Sequence, residues 1–549
     1  MSKKTIIILG GGFAGVKCAG TLRRILPKDT ADVVLFNSEN YMVFQPLLAE
    51  VVGASISPES VAMPLRQMLP GVYCRTEDIV KINTGESCVE YSGDRSRIGR
   101  MPYDHLVIAC GSDVNLNMIP GMADHAYPLR TVGDAIALRY HVMQQMENAE
   151  ISDLRAERKW YLSFIVVGGG FSGVEVAGEI NDLVRETARY YRNIDGDDIA
   201  VTLIHSRDQI LPEVTSSLRD FARKKMEEDG IRIELKKRVT FVTKDGVGFN
   251  DGVRVRGATV VCTVGNAPSI VIEKLSARKE RGRLVTDPDM RVSGHENVWA
   301  IGDCAYIMNA YDNTPSPPTG QFAERQGRQA AQNIARLLEG KETRPFSYKP
   351  IGQLCAIGGH NAVAEFMRFH MSGFFAWFVW RSVYLFKLPS ISHQIKVGFD
   401  WAWEFFYSRD LAHPRIKKTE IISRAYFQAG DYVFRRGDPS NNFYVIESGE
   451  VEVVRESEED DTEKRLAILG PGDFFGEMAL LDHRDRKSSV RVRSDAELTV
   501  IGKKIFEQIS GALKPFQDFL SAAVKRRGRN LWQKIPAAYD LLAERELDI

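Results

Sequence analysis

The 549-residue sequence lacks the features that would place it outside the cell or across a membrane. Its seven cysteines form no C-x-x-C pair and no zinc-type spacing, so neither a disulfide framework nor a metal site is expected. No apolar run reaches the roughly 18 to 20 residues that a spanning helix requires. The N-terminal stretch Thr5–Leu9 is too short for a signal-peptide core, and no small-residue cleavage site follows it. An excess of one charge sign is missing too. Lys plus Arg number 72 and Asp plus Glu number 72, which argues against a chain built to coat nucleic acid. The remaining composition, 44% hydrophobic and 26% charged, is that of globular protein, with length for about three or four domains. A reducing, cytoplasmic setting is the expectation, with membrane-surface attachment left open.

Against these absences stands an internal repeat. Thr5–Gly20 reads TIIILGGGFAGVKCAG and Leu162–Gly178 reads LSFIVVGGGFSGVEVAG. Each is a β-branched strand, then G-x-G-x-x-G, then a helical pattern. In the first, Gly10 permits a tight turn, Gly12 lets backbone approach a pyrophosphate, and Gly15 lets helix pack on strand. Phe13 and Ala14 open the helix, whose N-terminus supports anionic phosphates. Gly168, Gly170 and Gly173 repeat that logic. The spacing predicts one nucleotide-binding α/β unit inserted into another. A ribose-binding carboxylate usually ends the second strand of such a unit. Here Val33–Phe36 ends at Asn37, an amide without charge, with Glu39 two residues on. In the second unit Ala200–Ile204 is followed by His205, Ser206 and Arg207. No carboxylate opposes a 2′-phosphate there and Arg207 can pair with one, although Asp208 offsets it.

The texture then changes twice. Phe366–Tyr407 is crowded with aromatics, among them Phe374, Phe375, Trp377, Phe378, Trp380, Trp401, Trp403 and Phe406, interrupted by Arg381 and Lys387. Such a segment suits a membrane interface, with a dimer interface or buried core as the alternative. Residues 421–502 alternate apolar and polar between turn signals, which predicts a β-barrel or sandwich. Glu456–Glu463 reads as an acidic hairpin tip, and the chain from Lys503 onward as helical with a break near Pro536.

Specific motifs carry resemblances. Tyr103–Ser112 (YDHLVIACGS) and Asn297–Asp303 (NVWAIGD) resemble the connecting strand and second FAD motif of two-dinucleotide-domain flavoproteins, which implies Asp303 at the ribityl and phosphate region. Asn40–Leu48, Ser57–Arg66, Gly173-Val-Glu175 and Ser372–Trp380 resemble the type II NADH:quinone oxidoreductase family over residues 1–410. The resemblance implies noncovalent FAD at the first loop. It implies a nicotinamide nucleotide at the second, with Gly265 contributing, and NADPH is favoured over NADH by His205–Arg207. It also implies quinone reduction at a membrane-facing side, and relatives are often homodimers. The family's acceptor-site pattern A-Q-x-A-x-Q-x-G is met by Gln321, Ala323 and Gly327. Arg325 replaces the second glutamine and Gln326 is displaced by one position, about 100° around a helix. Glu175 takes the position that implies proton delivery near the flavin, with a helix-surface salt bridge as the alternative. No redox cysteine pair of a disulfide or sulfide reductase is recognisable, so the cysteines read as structural.

Phe427–Asp431, Phe443–Ile446, Gly449–Val453, Phe475–Leu481 and Arg486–Val490 resemble the cyclic-nucleotide-binding domain family. The resemblance implies that Arg486 neutralises the cyclic phosphate, Glu477 accepts from the ribose 2′-hydroxyl, and amides near Gly476 complete the cradle. Ser488 stands beside the phosphate, and Ser489 is a candidate guanine contact. cAMP is favoured over cGMP as effector, with Phe516, Phe519 and Leu520 as lid candidates. The expected architecture is α/β: two Rossmann-like domains, an aromatic amphipathic segment and a jelly-roll-like β-barrel. Its parts are an FAD-binding domain at 1–120 and 286–365, an NAD(P)H-binding domain at 121–285, the amphipathic segment at 366–415 and the cyclic-nucleotide domain at 416–549. The expected function is an FAD-dependent NAD(P)H oxidoreductase passing electrons to a quinone on the inner face of the cell membrane under cyclic-nucleotide control. A soluble NADPH reductase of another acceptor and a slow-turnover redox and cyclic-nucleotide signalling protein are the alternatives. Metal and nucleic acid have no expected place.

Overall fold

The computed structural model describes residues 3–92, 98–366, 369–404, 406–407, 409, 423–438, 440, 442–456, 463–481 and 485–503. The lid candidates, the basic cluster at 525–529 and most of the acidic loop lie outside these residues. The chain forms two compact units, residues 1–413 and 414–549.

In the first unit the sequence repeat becomes a repeat of topology. One five-stranded sheet runs Val298–Ala300, His105–Ile108, Lys4–Leu9, Ala31–Asn37, Tyr73–Thr76. A second runs Tyr127–Pro128, Thr259–Cys262, Ser163–Val167, Ala200–Ile204, Ile231–Glu234. Every neighbouring pair in both sheets is parallel. Each glycine loop follows the central strand, where a buried, continuous apolar run is required. Ile6–Leu9 and Phe164–Val167 meet that demand. The loops lead into the helices Phe13–Ile25 and Phe171–Ala188. The first sheet takes its edge strand Val298–Ala300 from far along the chain, so the nucleotide-binding domain built on the second sheet is inserted into the one built on the first.

Three antiparallel strands, Gly352–Gly358, Asn361–Phe366 and Phe369–Ser372, then precede the helices Gly373–Lys387 and Ile391–Glu404. The second helix separates its faces with a four-residue period. Ile391, Ile395, Phe399 and Trp403 are exposed, whereas His393, Val397 and Trp401 are buried. The first helix likewise exposes Phe374, Phe375, Phe378 and Phe386 and buries Trp377, Trp380 and Arg381. Three tryptophans are therefore core, and the phenylalanines of the two helices form an outer apolar face. The reading of Arg381 as an interfacial cation is corrected. It is 6% exposed, with its guanidinium 4.1 Å from the Trp377 ring and 4.8 Å from the Trp401 ring. A buried guanidinium needs carboxylates, and Glu404 and Glu50 supply them at 2.5 and 3.6 Å. The Ser57–Ser60 motif clamps the second helix, because the Ser57 N–H and Ser60 hydroxyl donate to Asp400 at 3.2 and 3.1 Å. Among the described residues no helix is long and apolar enough to cross a membrane.

The second unit is an antiparallel sheet with Ser423–Phe427, Ser489–Gly502, Asn442–Glu456 and Glu463–Leu469 in spatial order. Tyr432–Phe434 and Phe474–Phe475 pair onto it. Alternating residues such as Ile446, Val451, Val453, Val490, Val492 and Leu498 close its own core.

Candidate functional site

The first loop is shaped by three contacts. Gly10 has φ +107°, a region that favours glycine. A Cβ on Gly15 would overlap the Gly10 carbonyl oxygen, so helix and loop meet without side chains between them. A Cβ on Gly12 would meet nothing within 4 Å. Gly12 also caps its helix without a side-chain bond, which leaves first-turn N–H groups at Phe13–Gly15 for a phosphate. Gly302, at φ +75°, lies against Ala14, 3.2 Å from where its Cβ would be. Its N–H donates to Gln326 Oε1 at 2.8 Å. Gln326 is 2% exposed and therefore holds the Gly302–Asp303 turn, a role that its displacement from the family's glutamine position had concealed. Burial pushes the Asp303 carboxyl up, against the pull of Arg130 and Arg283. Arg130, absent from the sequence-based site, thus faces the same end of the loop. Its own sequence context shows only the capping box Thr131–Asp134 of the next helix. Open space at Gly12, uncapped amides and this Asp–Arg pair fit the phosphates and ribityl chain of an FAD.

Asn37 is largely occupied. Its Oδ1 accepts from the Gly11 N–H at 2.7 Å, and its Nδ2 donates to the Glu39 and Tyr41 carbonyls at 2.8 and 3.3 Å. Its amide donors support the loop, so a ribose contact falls to the remaining lone pair of Oδ1. The second loop repeats the arrangement with different chemistry. His205 Nδ1 accepts from the Gly169 N–H at 3.1 Å. Ser206 and Arg207 follow on the surface. Gly170 caps the second helix without a side chain, and again nothing lies within 4 Å of its Cβ position. Gly265, at φ +88°, lies beyond the strand Thr259–Cys262, and its carbonyl accepts from the Asn115 N–H at 2.6 Å.

Gln321 and Glu175 both meet one strand. Gln321 donates to the Gly352 carbonyl at 3.1 Å and accepts from the Tyr348 hydroxyl at 3.2 Å. The Arg325 guanidinium lies 5.4 Å from the Tyr348 ring. The strand Gly352–Gly358 continues to Ala356, whose N–H donates to Glu175. Burial pushes the Glu175 carboxyl well above the usual range, and the Glu50 and Glu179 charges push it further. Among the described residues Glu175 makes no ion pair, so the salt-bridge alternative does not hold.

Glu175, Glu179, Asp182 and Glu186 share one face of the second-loop helix. Arg409 meets Glu179 at 3.0 Å, Glu404 at 3.1 Å, Glu186 at 3.4 Å and Asp182 at 3.8 Å. With Arg381 on Glu50 and Glu404, two guanidiniums serve five carboxylates. The two cations hold the Glu404 carboxyl down despite its burial. Elsewhere burial wins: Asp182 is pushed up to about 7 and Glu50 to about 8. All seven cysteines are free and six are buried, with Cys304 pushed up to about 12 by burial.

In the second unit a cavity is lined by Phe434, Val453, Phe475, Gly476, Glu477, Met478, Arg486, Lys487, Ser488 and Val490. Arg486 is 4% exposed, donates to the Gly476 and Asn442 carbonyls at 2.7 and 2.5 Å, and lies 4.1 Å from the Phe434 ring. Its buried Nε has no partner. Ser489 corrects the sequence reading. It is fully buried, and its hydroxyl accepts from the Arg436 N–H at 2.9 Å, away from the cavity that Ser488 lines.

Residues 4–327 match the family described as pyridine nucleotide-disulphide oxidoreductase, residues 351–410 the NDH2 C-terminal domain, and residues 424–511 the cyclic nucleotide-binding domain. The chain is 30% identical over 446 residues to the internal alternative NAD(P)H-ubiquinone oxidoreductase A1, mitochondrial, of Arabidopsis thaliana, covering 75% of this chain and 86% of that one. It is 28% identical over 366 residues to the type II NADH:quinone oxidoreductase of Staphylococcus aureus, covering 66% and 89%. The structure of NDH2 from Plasmodium falciparum in complex with NADH shares the fold at a TM-score of 0.70 and 22% identity, over 75% of this chain and 100% of that one. Paired glycine loops on two parallel sheets define the class, and the chain belongs to the pyridine nucleotide-disulphide oxidoreductase family, within its type II NADH:quinone oxidoreductase branch. It is by that membership an NAD(P)H dehydrogenase, and it carries a cyclic nucleotide-binding domain.

The carboxylate cluster predicts a pH effect. The folded-state pKa of Glu50 lies above that of an exposed glutamate, about 4.3. Its contribution to stability is therefore complete below that value and lost as pH rises through about 8. Glu50→Gln removes this loss. Melting temperatures at pH 6 and pH 9 are expected to differ less in the variant than in the wild type; an equal difference would refute the assignment.

Proposed function

We propose that the chain is an FAD-dependent NAD(P)H:quinone oxidoreductase, bound peripherally to the inner face of the cell membrane and regulated by cyclic nucleotide, with cAMP preferred to cGMP. The observation that carries the redox reading is the coincidence of two dinucleotide cradles with Glu175, a carboxyl of raised pKa on the second-loop helix that meets the same strand as Gln321. A bound FAD would supply the hydride and two-electron chemistry between nicotinamide and acceptor. The protein's part is positional and electrostatic. Gly10–Gly15 and Asp303 hold the flavin nucleotide, with Gln326 and Arg130 supporting that turn. Gly168–Gly173, His205, Ser206, Arg207 and Gly265 hold the nicotinamide nucleotide. Glu175, its carboxyl pushed well above the usual range by burial, gives up a proton as the acceptor is reduced. Gln321 and Arg325 bound the acceptor site beside Tyr348. Arg325 also favours a second reading, in which the acceptor is an anionic small molecule rather than a quinone, because a guanidinium replaces an amide there.

The outer face of Phe374, Phe375, Phe378, Phe386, Ile395 and Phe399 is too apolar and too contiguous to face water alone. Rings of this kind suit the headgroup level of a bilayer. Arg486, Glu477, Gly476 and Ser488 are the cyclic-phosphate and ribose contacts. Burial of Ser489 removes the hydroxyl that would read guanine, which supports cAMP.

Three results test this function. Glu175→Gln keeps an acceptor for the Ala356 N–H but cannot release a proton. Quinone-dependent turnover at pH 7 is expected to fall by about 10²-fold while flavin reduction by NADH persists; loss of both, or of neither, would refute the proton role. Arg486→Lys removes the bidentate fork. It is expected to weaken cAMP binding by about tenfold or more and to abolish any cAMP effect on turnover; unchanged binding in calorimetry would reject the site. Flotation with anionic liposomes should recover the wild type with lipid and the double variant Phe375→Ser, Phe399→Ser in the soluble fraction. Wild-type protein that stays soluble, with the face closed by dimerisation, would reject membrane docking.

A further inference from the structure

Two helices, Phe13–Ile25 and Gly320–Leu338, pack side by side and share an outer groove that neither glycine loop uses. A Cβ on Gly327 would overlap the Ala14 carbonyl oxygen, so the two backbones touch there with no side chain between them. That close approach sets two rows of side chains next to one another. On the second helix Arg325, Arg328, Gln332, Arg336 and Glu339 follow at three- and four-residue steps, which is one face. On the first, Lys17 and Arg24 stand seven residues apart on one face. The rows meet electrostatically. Burial lowers the Lys17 ammonium below the ordinary lysine range, and the charges of Arg328, Arg24 and Arg325 lower it further, against Glu324 alone. Among the described residues none of these four cations forms an ion pair. Like charges held this close repel one another unless an anion comes between them. Beyond Arg24 and Arg328 the groove deepens into a cleft of about 250 Å³, lined by Ile25, Gln329, Gln332, Arg336, Glu339 and Arg344. Its one carboxylate, Glu339, is paired with Lys341 at 2.6 Å. Ile25 adds an apolar wall that is 40% exposed.

We propose that this groove is a further nucleotide site, separate from both glycine loops and from the cyclic-nucleotide cavity: it takes a nucleoside di- or triphosphate, with the phosphates on Lys17, Arg24 and Arg328 and the nucleoside in the cleft beside Ile25. The spacing selects an oligophosphate. Seven helical residues rise about 10 Å, a span that one phosphate does not bridge and a phosphate chain does. The cleft selects a single nucleoside. Its volume falls just below the roughly 300–1,000 Å³ of small-molecule sites, too little for a dinucleotide. Its wall is of the mixed kind that such ligands need, an apolar side chain for the ring and the amides of Gln329 and Gln332 for its polar edge. Lys17, Arg325 and Arg328 are only partly exposed, so a slender phosphate chain reaches them where a broad acidic protein surface does not. The terminal nitrogens of Arg328, unlike its buried Nε, are open to water and to a ligand.

The test is calorimetric titration of the oxidised, FAD-loaded full chain with ATP in magnesium-free buffer, with ADP-ribose and cAMP present at saturation to fill the other sites. Wild-type protein should still bind one ATP per chain. Tripolyphosphate should bind about fivefold more weakly, because it leaves the cleft empty, and adenosine more weakly again. Arg24→Gln and Arg328→Gln should each weaken ATP and tripolyphosphate about tenfold. Arg328→Lys, which keeps the charge, should stay within about threefold of wild type. Gln332→Trp, which fills the cleft, should weaken ATP about tenfold and leave tripolyphosphate within about twofold. Flavin reduction by NADH reports that each variant is folded. No ATP binding beyond the ADP-ribose and cAMP sites, or full ATP affinity in both Arg24→Gln and Arg328→Gln, would overturn the site. Tripolyphosphate that binds as tightly as ATP, or equal weakening of both by Gln332→Trp, would overturn the nucleoside and leave an inorganic oligophosphate as the occupant.

Discussion

Two buried guanidiniums, Arg381 and Arg409, organise the oxidoreductase unit. They bring together elements distant in the sequence: the segment around Glu50 and Gly53, the second-loop helix with Glu179, Asp182 and Glu186, and the aromatic helix ending at Glu404. The two positive charges cannot balance five carboxylates at low dielectric. The surplus is resolved by protonation, since desolvation makes an unpaired carboxylate costlier than a carboxylic acid. Glu175 stands at one end of this acidic face, where burial raises its carboxyl and the Glu50 and Glu179 charges add to the rise. The cluster that ties the aromatic hairpin to the nucleotide-binding sheets therefore also contributes to the raised carboxyl of Glu175.

The hairpin is a division of labour within one composition. Trp377, Trp380 and Trp401 enclose Arg381 and close the core. Phe374, Phe378, Ile395 and Phe399, on the other faces of the same helices, remain outside. Asp400, held by Ser57 and Ser60, fixes the rotation of the second helix and thereby decides which of its residues face outward.

Much of this was legible in the chain. The paired glycine loops, the strands before them and the cassette from Phe475 to Arg486 are local patterns, because turn geometry, helix capping and phosphate access depend on residues a few positions apart. What stayed hidden depended on partners across the fold. Gln326 read as a displaced acceptor-site glutamine, yet its side chain supports Gly302. Arg130 carried no signal beyond the helix cap that follows it. Ser489 read as a base contact, but the strand pleat turns it inward to Arg436.

The sequence by itself determined that two dinucleotide units and a cyclic-nucleotide module share one chain, because those devices are written in short spacings of glycine and in period-two and period-3.6 apolar patterns. Only the tertiary structure decided how individual side chains are spent. Whether Arg381 meets water or Glu50, whether Asn37 and His205 accept from a glycine N–H, and how far the Glu175 carboxyl is raised are set by burial and by neighbours that arrive from remote segments. Those are properties of the packed interior, where the energy of a charge or a donor depends on what surrounds it.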